Sequence, residues 1–288
     1  MKPAAFEYHA PESIDDVVGL LAEHGDEAKP LAGGQSLVPM LALRLARFEH
    51  VVDLNRVPAL AGIERADGAV AVGAMTRQAE LERSDAAAAV PLLGLAAPLI
   101  GHFQIRNRGT VGGSIAHADP AGELPSIALA LDAELDVAST SGTRTVAAPE
   151  LFAGTWETTL AQEELLTRVR FPVWPDRSGF AVEEVARRYG DFALAGVVCG
   201  VELDADGGVV RAAIALLGLG SMPLRASAAE DAIVGRVPSA EDLTEIGRLA
   251  IADVDPPTDI HASGEYRGAV GAHVVARGLE AALARAAA

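Results

Sequence analysis

The chain has 288 residues, 50% of them hydrophobic, which is enough for one large domain or two ordinary ones with a substantial core. Its 40 acidic and 23 basic residues give a formal net charge of −17. Nucleic acid and anionic membranes are bound through basic patches, so both are excluded as expected partners. No apolar run has the length of a membrane span, and residues 1–8 lack the hydrophobic region of a signal peptide. We therefore expect a cytoplasmic protein with no membrane insertion.

Cysteine and histidine usage limits the metal chemistry of the chain. Cys199 is the single cysteine, so no internal disulfide can form. An iron–sulfur cluster takes several cysteine thiolates, and this chain cannot hold one by itself. Cys199 lies in an apolar run, which predicts a buried side chain rather than a nucleophile. The seven histidines lack the His-x-x-x-His spacing of a helical metal site, so we predict no metal on this chain.

Apolar periodicity and capping residues predict the elements of the first part of the chain. A helix begins at Ile14, is capped by Ser13 and is ended by Gly25. Residues 29–32 are extended and lead to a helix over 37–46 capped by Ser36. Thr76 caps a short helix that runs through Glu82. The other predicted elements are strands at 51–54, 70–72, 133–138 and 166–171 and helices at 91–100 and 125–131.

The segment from Pro172 to Gly179 contains two prolines and predicts the boundary between two domains, residues 1–175 and 176–288. Beyond it, strands are followed by helices, the pattern of an α+β module. The strands are predicted at 179–187, 196–203 and 209–217, and the helices at 226–234, 240–252 and 265–287. The sheet of this module needs a partner surface, which the first domain can supply.

Two double-glycine motifs carry the strongest functional signal. They read Ala32-Gly33-Gly34-Gln35-Ser36 and Thr110-Val111-Gly112-Gly113-Ser114. Glycine allows positive φ and close backbone approach, and free amides beside a hydroxyl bind phosphate. Two such loops predict a ligand with two phosphates, such as a dinucleotide. The Gly-x-Gly-x-x-Gly fingerprint of a Rossmann fold is absent, so the dinucleotide is held differently.

The two motifs, extended by Leu37 and Ile115, resemble the FAD-binding motifs of the flavoprotein (medium) subunit of molybdenum hydroxylases, the carbon monoxide dehydrogenase and xanthine dehydrogenase family. Three further runs, at 117–125, 187–193 and 265–267, also resemble that family in the right order. The resemblance implies an α+β chain. Its N-terminal FAD-binding domain has two lobes of the vanillyl-alcohol-oxidase (PCMH) type, and its C-terminal α+β domain has a small antiparallel sheet and helices.

The same resemblance implies an electron-transfer subunit. Molybdopterin lies on a large subunit and two [2Fe-2S] clusters lie on a small subunit, in a complex expected to be a dimer of heterotrimers. Electrons pass from the clusters to FAD on the medium subunit and then to an external acceptor. The single cysteine agrees with this division. Electron transfer requires no general acid, base or nucleophile, so we name no catalytic residue.

The resemblance also implies which residues surround FAD. Lys29 and residues 32–37 embrace the pyrophosphate, Thr110 to Ser114 form a second wall, and Ala74 and Thr76 lie near the dinucleotide. Asp119 and Glu123 reach ribose or adenine-side hydroxyls, Leu165 or Leu166 packs against the flavin ring, and Phe192 covers it. The implied cofactor-binding set is Lys29, Ala32, Gly33, Gly34, Gln35, Ser36, Leu37, Ala74, Thr76, Thr110, Val111, Gly112, Gly113, Ser114, Asp119, Glu123, Leu165, Leu166 and Phe192.

Three alternatives stay open at this point. The first is a free-standing flavin-dependent oxidase or reductase. The second is a nucleotide-binding scaffold with no redox role. The third concerns the attachment of FAD, since His117 could form a covalent bond to flavin in the wider fold superfamily. We expect non-covalent FAD.

Overall fold

Residues 2–288 are described by a computed structural model and are arranged around three sheets and one short two-stranded ribbon. Met1 lies outside the described residues. It is the first residue of the predicted domain 1–175 and of the segment 1–8 considered above for a signal peptide. Among residues 2–288, no helix is both long and apolar enough to cross a bilayer.

The first lobe contains a three-stranded parallel sheet. Its elements are β1 (Glu7–His9), α1 (Ile14–His24), β2 (Ala28–Leu31), α2 (Leu37–Leu43) and β3 (His50–Asp53). The strand order is β1-β3-β2. The predicted start of α1 is confirmed, because Ser13 Oγ accepts the amide of Asp16 at 3.1 Å. Helix α1 buries Val17, Val18 and Leu21, and Gly25 ends it with a φ of +52°.

Helix α2 differs from its prediction at both ends. Ser36 already has helical backbone angles and makes no side-chain capping bond, so the predicted cap is wrong. The helical turn begins earlier, because the Val38 amide donates to the carbonyl of Gly34 at 3.0 Å. The helix ends at Leu43 rather than at residue 46, since Arg44 adopts a left-handed conformation with φ of +58°.

The second lobe contains a five-stranded antiparallel sheet in the order β4-β5-β10-β6-β7. Its strands are β4 (Ile63–Ala66), β5 (Ala69–Gly73), β6 (Glu134–Ser139), β7 (Gly142–Ala147), β8 (Phe152–Gly154), β9 (Glu157–Thr158) and β10 (Leu165–Pro172), where β8 and β9 pair only with each other. Its helices are α3 (Gln78–Leu81), α4 (Pro91–Ala96), α5 (Phe103–Arg106), α6 (Val111–His117), α7 (Glu123–Ala130) and α8 (Ala148–Leu151). Apolar side chains of α4, α6 and α7 form one core with the sheet.

Two local predictions for this lobe are wrong. Thr76 does not cap a helix, because its buried hydroxyl donates to the Gly62 carbonyl at 2.9 Å and accepts the Gly62 amide at 3.0 Å. Arg77 is the residue before α3 instead. The helix predicted through residue 100 ends at Ala96 and continues as a 3₁₀ turn over Ala97–Leu99. Pro98 lies in that turn and lacks an amide for the α-helical pattern.

The C-terminal part is a four-stranded antiparallel sheet covered by helices. Its elements are β11 (Ser178–Val185), β12 (Ala195–Leu203), β13 (Val209–Leu217), β14 (Leu224–Arg225), α9 (Ser227–Ile233), α10 (Ala240–Ala250) and α11 (Gly264–Ala286). One face packs against α9, α10 and α11. From the other face, Val198, Ala213 and Ala215 join the core of the second lobe. The expectation that the first domain supplies a partner surface is confirmed.

The strands missed from sequence are mostly edge strands. Strands β4 and β7 are the two edges of the five-stranded sheet, and β1 is an edge of the parallel sheet. Most of their residues are exposed. An edge strand with so few buried positions has little hydrophobic alternation to detect. Strands β11, β12 and β13 were predicted to within about two residues, because nearly all their residues are buried or half-buried. The short edge strand β14 was missed.

Candidate cofactor site

The two double-glycine motifs lie against each other. A β-carbon built on Gly33 would lie 2.3 Å from the carbonyl oxygen of Arg108, just before the second motif. A β-carbon on Gly113 would lie 3.1 Å from the β-carbon of Ala32. These contacts leave no room for a larger side chain. The glycines therefore serve first to bring two backbone segments together, and the two motifs lie side by side in the structure.

The first motif presents free backbone donors. It follows β2 directly and turns through Gly34, whose φ is +75°. The amides of residues 33–36 have no acceptor among the described residues. Successive unpaired amides in a turn make a concave site for an anion. The arrangement fits a pyrophosphate group, and the exposed Lys29 on β2 adds positive charge nearby.

The second motif is the first turn of α6 rather than a loop. Thr110 caps this helix, since its hydroxyl oxygen accepts the amide of Gly113 at 3.1 Å. The Val111 amide donates to Thr76 O at 3.0 Å, and the Gly112 amide donates to Ala74 O at 2.8 Å. These amides are thus occupied within the protein. The expectation of a second open amide nest is wrong, and this motif supplies a helix N-terminus instead.

One side-chain hydroxyl in each motif is free. The Oγ atoms of Ser36 and Ser114 make no hydrogen bond to any described residue, and both side chains are half-buried. A half-buried hydroxyl without a protein partner is a donor and acceptor available to a ligand. Both motifs therefore keep a hydroxyl that can bind a ligand, although the backbone amides of the second motif are already hydrogen-bonded within the protein.

Ala74 and Thr76 pack against the second motif and accept hydrogen bonds from its amides. Both residues are buried, and a β-carbon on Gly112 would lie 2.4 Å from the β-carbon of Ala74. The amide of Ala74 donates to Thr167 O on β10 at 2.9 Å. These two residues hold α6 against the sheet, and their predicted position near the dinucleotide stays a prediction.

Asn55 and Arg77 join the two motifs and were missed from the sequence. Asn55 Nδ2 donates to Ala32 O at 3.2 Å, and Arg77 donates to Asn55 Oδ1 at 2.6 Å and to the carbonyl of Arg108. Burial, followed by the charge of Arg108, lowers the pKa of Arg77. No spacing rule connects these residues, because they come from different elements. They are positioning residues for the first motif.

A second polar group lies at the C-terminal end of α6. Asp119 Oδ1 accepts the amide of Ala121 at 2.9 Å, and Oδ2 accepts Nε1 of Trp156 at 3.2 Å. Burial lowers the pKa of His117, with the charge of Asp119 opposing this effect and that of Lys29 adding to it. His117 is therefore a neutral imidazole at pH 7. Trp156 was not predicted, and its exposed ring lies parallel to His117 with the centroids 6.2 Å apart.

Glu123, the first residue of α7, is a buried carboxyl. Burial raises its pKa to about 8, and the charges of Glu184 and Asp119 add to the shift. Glu184 on β11 is also raised by burial, to a pKa of about 7. A carboxyl with a pKa near 8 carries its proton at neutral pH and can donate a hydrogen bond. Its predicted contact with a ribose or adenine-side hydroxyl stays a prediction.

The residues predicted beside the flavin ring occupy different environments. Leu165 is buried in the first-lobe core and Leu166 in the second-lobe core. Phe192 is 64% exposed, in the segment between β11 and β12. A cavity of about 210 Å³ adjoins that segment and is lined by Leu99, Glu184, Ala186, Arg188, Tyr189 and Gly190. None of the predicted cofactor residues lines this cavity.

Comparison with known proteins decides the family. Residues 4–174 match the family model described as the FAD binding domain in molybdopterin dehydrogenase. Residues 180–282 match the one described as the CO dehydrogenase flavoprotein C-terminal domain. The chain is an FAD-binding medium subunit of the molybdenum hydroxylase family. The resemblance drawn from the two glycine motifs is confirmed.

Relatives of this medium subunit match it over nearly their full length. It is 42% identical to the 6-hydroxypseudooxynicotine dehydrogenase complex subunit alpha of Paenarthrobacter nicotinovorans, over 99% of this chain and 97% of that protein. It is 39% identical to the carbon monoxide dehydrogenase medium chain of Hydrogenophaga pseudoflava, over 99% of each. All these relatives are subunits of oxidoreductases, and so is this chain.

Solved structures confirm the fold of the medium subunit. A chain of the carbon monoxide dehydrogenase from Hydrogenophaga pseudoflava that lacks the Mo-pyranopterin moiety superposes with a TM-score of 0.96 at 40% identity, covering 99% of both chains. A chain of quinoline 2-oxidoreductase from Pseudomonas putida 86 superposes with a TM-score of 0.93 at 36% identity, again over 99% of both. The predicted fold, an FAD-binding domain followed by a C-terminal α+β domain, is confirmed.

Proposed function

We propose that this medium subunit transfers electrons within a heterotrimeric molybdenum hydroxylase. Electrons arrive from [2Fe-2S] clusters on a small partner subunit, reach FAD on this chain and leave to an external acceptor. Substrate is oxidised at molybdopterin on a large partner subunit. The observation that carries this proposal is the match over 99% of both chains to a carbon monoxide dehydrogenase structure.

The environment of Cys199 supports the division of cofactors between chains. This single cysteine lies on β12, is fully buried, and has a pKa raised by burial to about 12. A thiol in this state is neither a thiolate ligand nor accessible to a cluster. An iron–sulfur cluster that delivers electrons to a flavin on this chain must therefore lie on a different protein component.

The residues present fit a non-covalent FAD. The free amides of residues 33–36 and the hydroxyls of Ser36 and Ser114 offer donors to a pyrophosphate. When bound, FAD supplies the redox chemistry, and this chain binds and orients it. Asn55 and Arg77 hold the first motif in position. The proposed binding set remains Lys29, residues 32–37, Ala74, Thr76, residues 110–114, Asp119, Glu123, Leu165, Leu166 and Phe192.

Three further features belong to this proposal. The chain divides into domains at residues 175 and 176, within the segment that joins β10 to β11. The complete complex is a dimer of heterotrimers. It works in the cytoplasm without membrane insertion, and its strong negative charge disfavours nucleic acid as a partner.

The proposal is tested by comparing the chain alone with the complex recovered from its native host through an affinity tag on this subunit. The isolated chain should show flavin absorbance without iron–sulfur bands. Its flavin should stay oxidised when it is given carbon monoxide, nicotine or xanthine. The recovered complex should contain iron and molybdenum, and its flavin should bleach with the true substrate.

Three results would overturn the assignment. If the isolated chain oxidised an organic substrate at about 10 per second, a typical enzyme turnover, it would be a free-standing flavin oxidase or reductase. If the recovered chain carried flavin but had no iron- or molybdenum-containing partner, the electron route proposed here would be wrong. A chain without any flavin would instead favour a nucleotide-binding scaffold.

A further inference from the structure

Three histidines far apart in the sequence come together in the first lobe. One ring nitrogen from each of His9, His24 and His50 lies within 4.8 Å of the other two. His9 Nε2 is 3.0 Å from His50 Nδ1. The rings of His24 and His50 are stacked with their centroids 3.7 Å apart. All three side chains are half-buried, and none belongs to the cofactor site described above.

The parallel sheet and its covering helix create this cluster. His9 ends β1, His24 ends α1, and His50 begins β3. In the register of the parallel pair, Glu7 lies opposite His50. Residues two apart on a strand share a face, so Glu7, His9 and His50 point to the same side of the sheet. His24, the last residue of α1, contacts the His50 ring on that side of the sheet.

Carboxylates lie beside His50, one of the three imidazoles. Glu7 Oε2 lies 3.8 Å from His50 Nδ1. Glu27 and Glu49 form a second group with His50, in which the ligand atoms again lie within 4.8 Å of one another. Among the described residues, no lysine or arginine forms an ion pair with Glu7, Glu27 or Glu49. The group therefore presents nitrogen and oxygen ligands in a field that favours a cation.

We propose that His9, His24 and His50 bind a divalent transition-metal ion, with Zn²⁺ as the ion that the ligands fit best. Imidazole suits zinc, and three histidines leave a fourth tetrahedral position for water or for a glutamate carboxylate. Zinc–nitrogen bonds of about 2.0–2.1 Å place the three nitrogens roughly 3.3 Å apart. The half-buried rings reach this arrangement by rotating about their side-chain bonds, which separates the stacked pair.

The bound ion ties together three segments of the first lobe. His24 is followed after three residues by β2, which leads into the first glycine motif. A metal that fixes the end of α1 against β1 and β3 thus stabilises the strand that presents the free amides. The site itself uses residues of this chain only, and it does not depend on the proposed electron-transfer role.

The test uses the full FAD-loaded chain, prepared without a histidine tag and treated with EDTA. Zn²⁺ is titrated by calorimetry, and retained zinc is counted after dialysis. We expect one zinc per chain and a melting temperature that rises with the Zn²⁺ concentration. His9→Gln and His24→Gln should each weaken binding by about 100-fold or more, since even loss of an outer-shell partner costs about 10–100-fold.

His273→Gln is the matched control, because His273 is exposed on α11, far along the chain from the cluster. This variant should bind zinc like the wild type. Far-ultraviolet circular dichroism reports folding in every variant and is read independently of zinc. X-ray absorption at the zinc edge of the wild type should show three imidazole ligands, which keeps the test valid if a variant fails to fold.

Three outcomes would overturn the site. The wild-type chain could hold no zinc after dialysis when it has been given one equivalent of Zn²⁺. The three histidines would then only pack against one another. The glutamine variants could bind zinc as tightly as the wild type. The absorption spectrum could show fewer than three imidazoles. None of these outcomes changes flavin content or assembly with partner subunits, so failure here is distinguishable from failure of the proposed function.

Discussion

Gly33 lies directly against the backbone of Arg108, and a β-carbon on Gly33 would lie 2.3 Å from the Arg108 carbonyl oxygen. The same carbonyl accepts a hydrogen bond from Arg77. This contact joins the first glycine motif to the segment that leads into the second. The geometry of the proposed pyrophosphate site therefore depends on a backbone contact that glycine alone permits at this position.

Gly33→Ala should separate the two motifs. The added methyl group meets backbone atoms that cannot rotate away, so we expect a loss of about 1–3 kcal/mol in the free energy of unfolding and a lower flavin content. Gly19→Ala is the matched control, since no atom lies within 4 Å of a β-carbon there and α1 should gain up to about 1 kcal/mol. Thermal unfolding and the flavin-to-protein absorbance ratio measure both effects. An unchanged flavin ratio in Gly33→Ala would contradict the proposed site.

Ser36→Ala and Ser114→Ala should weaken FAD binding without unfolding the chain. Neither hydroxyl bonds to a described residue, so the folded protein alone loses little. A hydrogen bond to a charged phosphate is worth about 1.5–3 kcal/mol, which predicts a rise of roughly ten-fold or more in the dissociation constant of FAD. Fluorescence titration of the flavin-free chain measures this constant. Ser227→Ala, exposed at the start of α9, serves as control, and equal affinity in all three variants would remove both serines from the site.

Glu123 should make the chain less stable as the pH rises. Its folded-state pKa of about 8 lies above the ordinary value of 4.5, because burial disfavours the charged form. Between these values the unfolded chain releases the proton first, so the free energy of unfolding falls by up to about 1.4 kcal/mol per pH unit and levels off above pH 8. Glu123→Gln should flatten this profile. Urea unfolding from pH 5 to 9 measures it, and parallel profiles for the two proteins would show that Glu123 does not hold its proton.

FAD should be released from the chain by acid. His117 is a half-buried, neutral imidazole at the end of α6, and the proposed site holds the cofactor through hydrogen bonds. Precipitation with trichloroacetic acid should leave yellow flavin in the supernatant and a colourless pellet. Flavin retained on the wild-type pellet but lost from the pellet of His117→Ala would instead identify His117 as a covalent attachment point.

The sequence by itself determined the elements whose signals are local. Helix α1 could be placed to the residue, because Ser13, Asp16 and Gly25 act within one turn of its ends. The buried strands β12 and β13 carry nearly continuous apolar runs. The two glycine motifs and the runs at 117–125, 187–193 and 265–267 indicated the family, because residue types and their order along the chain are read directly from the sequence. The exposed edges β4 and β7 carried no such pattern and were missed.

Tertiary structure decided which groups of the site are free. The two motifs look alike as sequences, yet the amides of Val111 and Gly112 are occupied by the carbonyls of Thr76 and Ala74, whereas those of residues 33–36 are not. The sequence likewise predicted no metal site, because His9, His24 and His50 obey no spacing rule. Only the pairing of β1 with β3 and the packing of α1 bring them together. Hydrogen-bond satisfaction and ligand clustering are properties of contacts between distant segments, and local sequence patterns do not encode them.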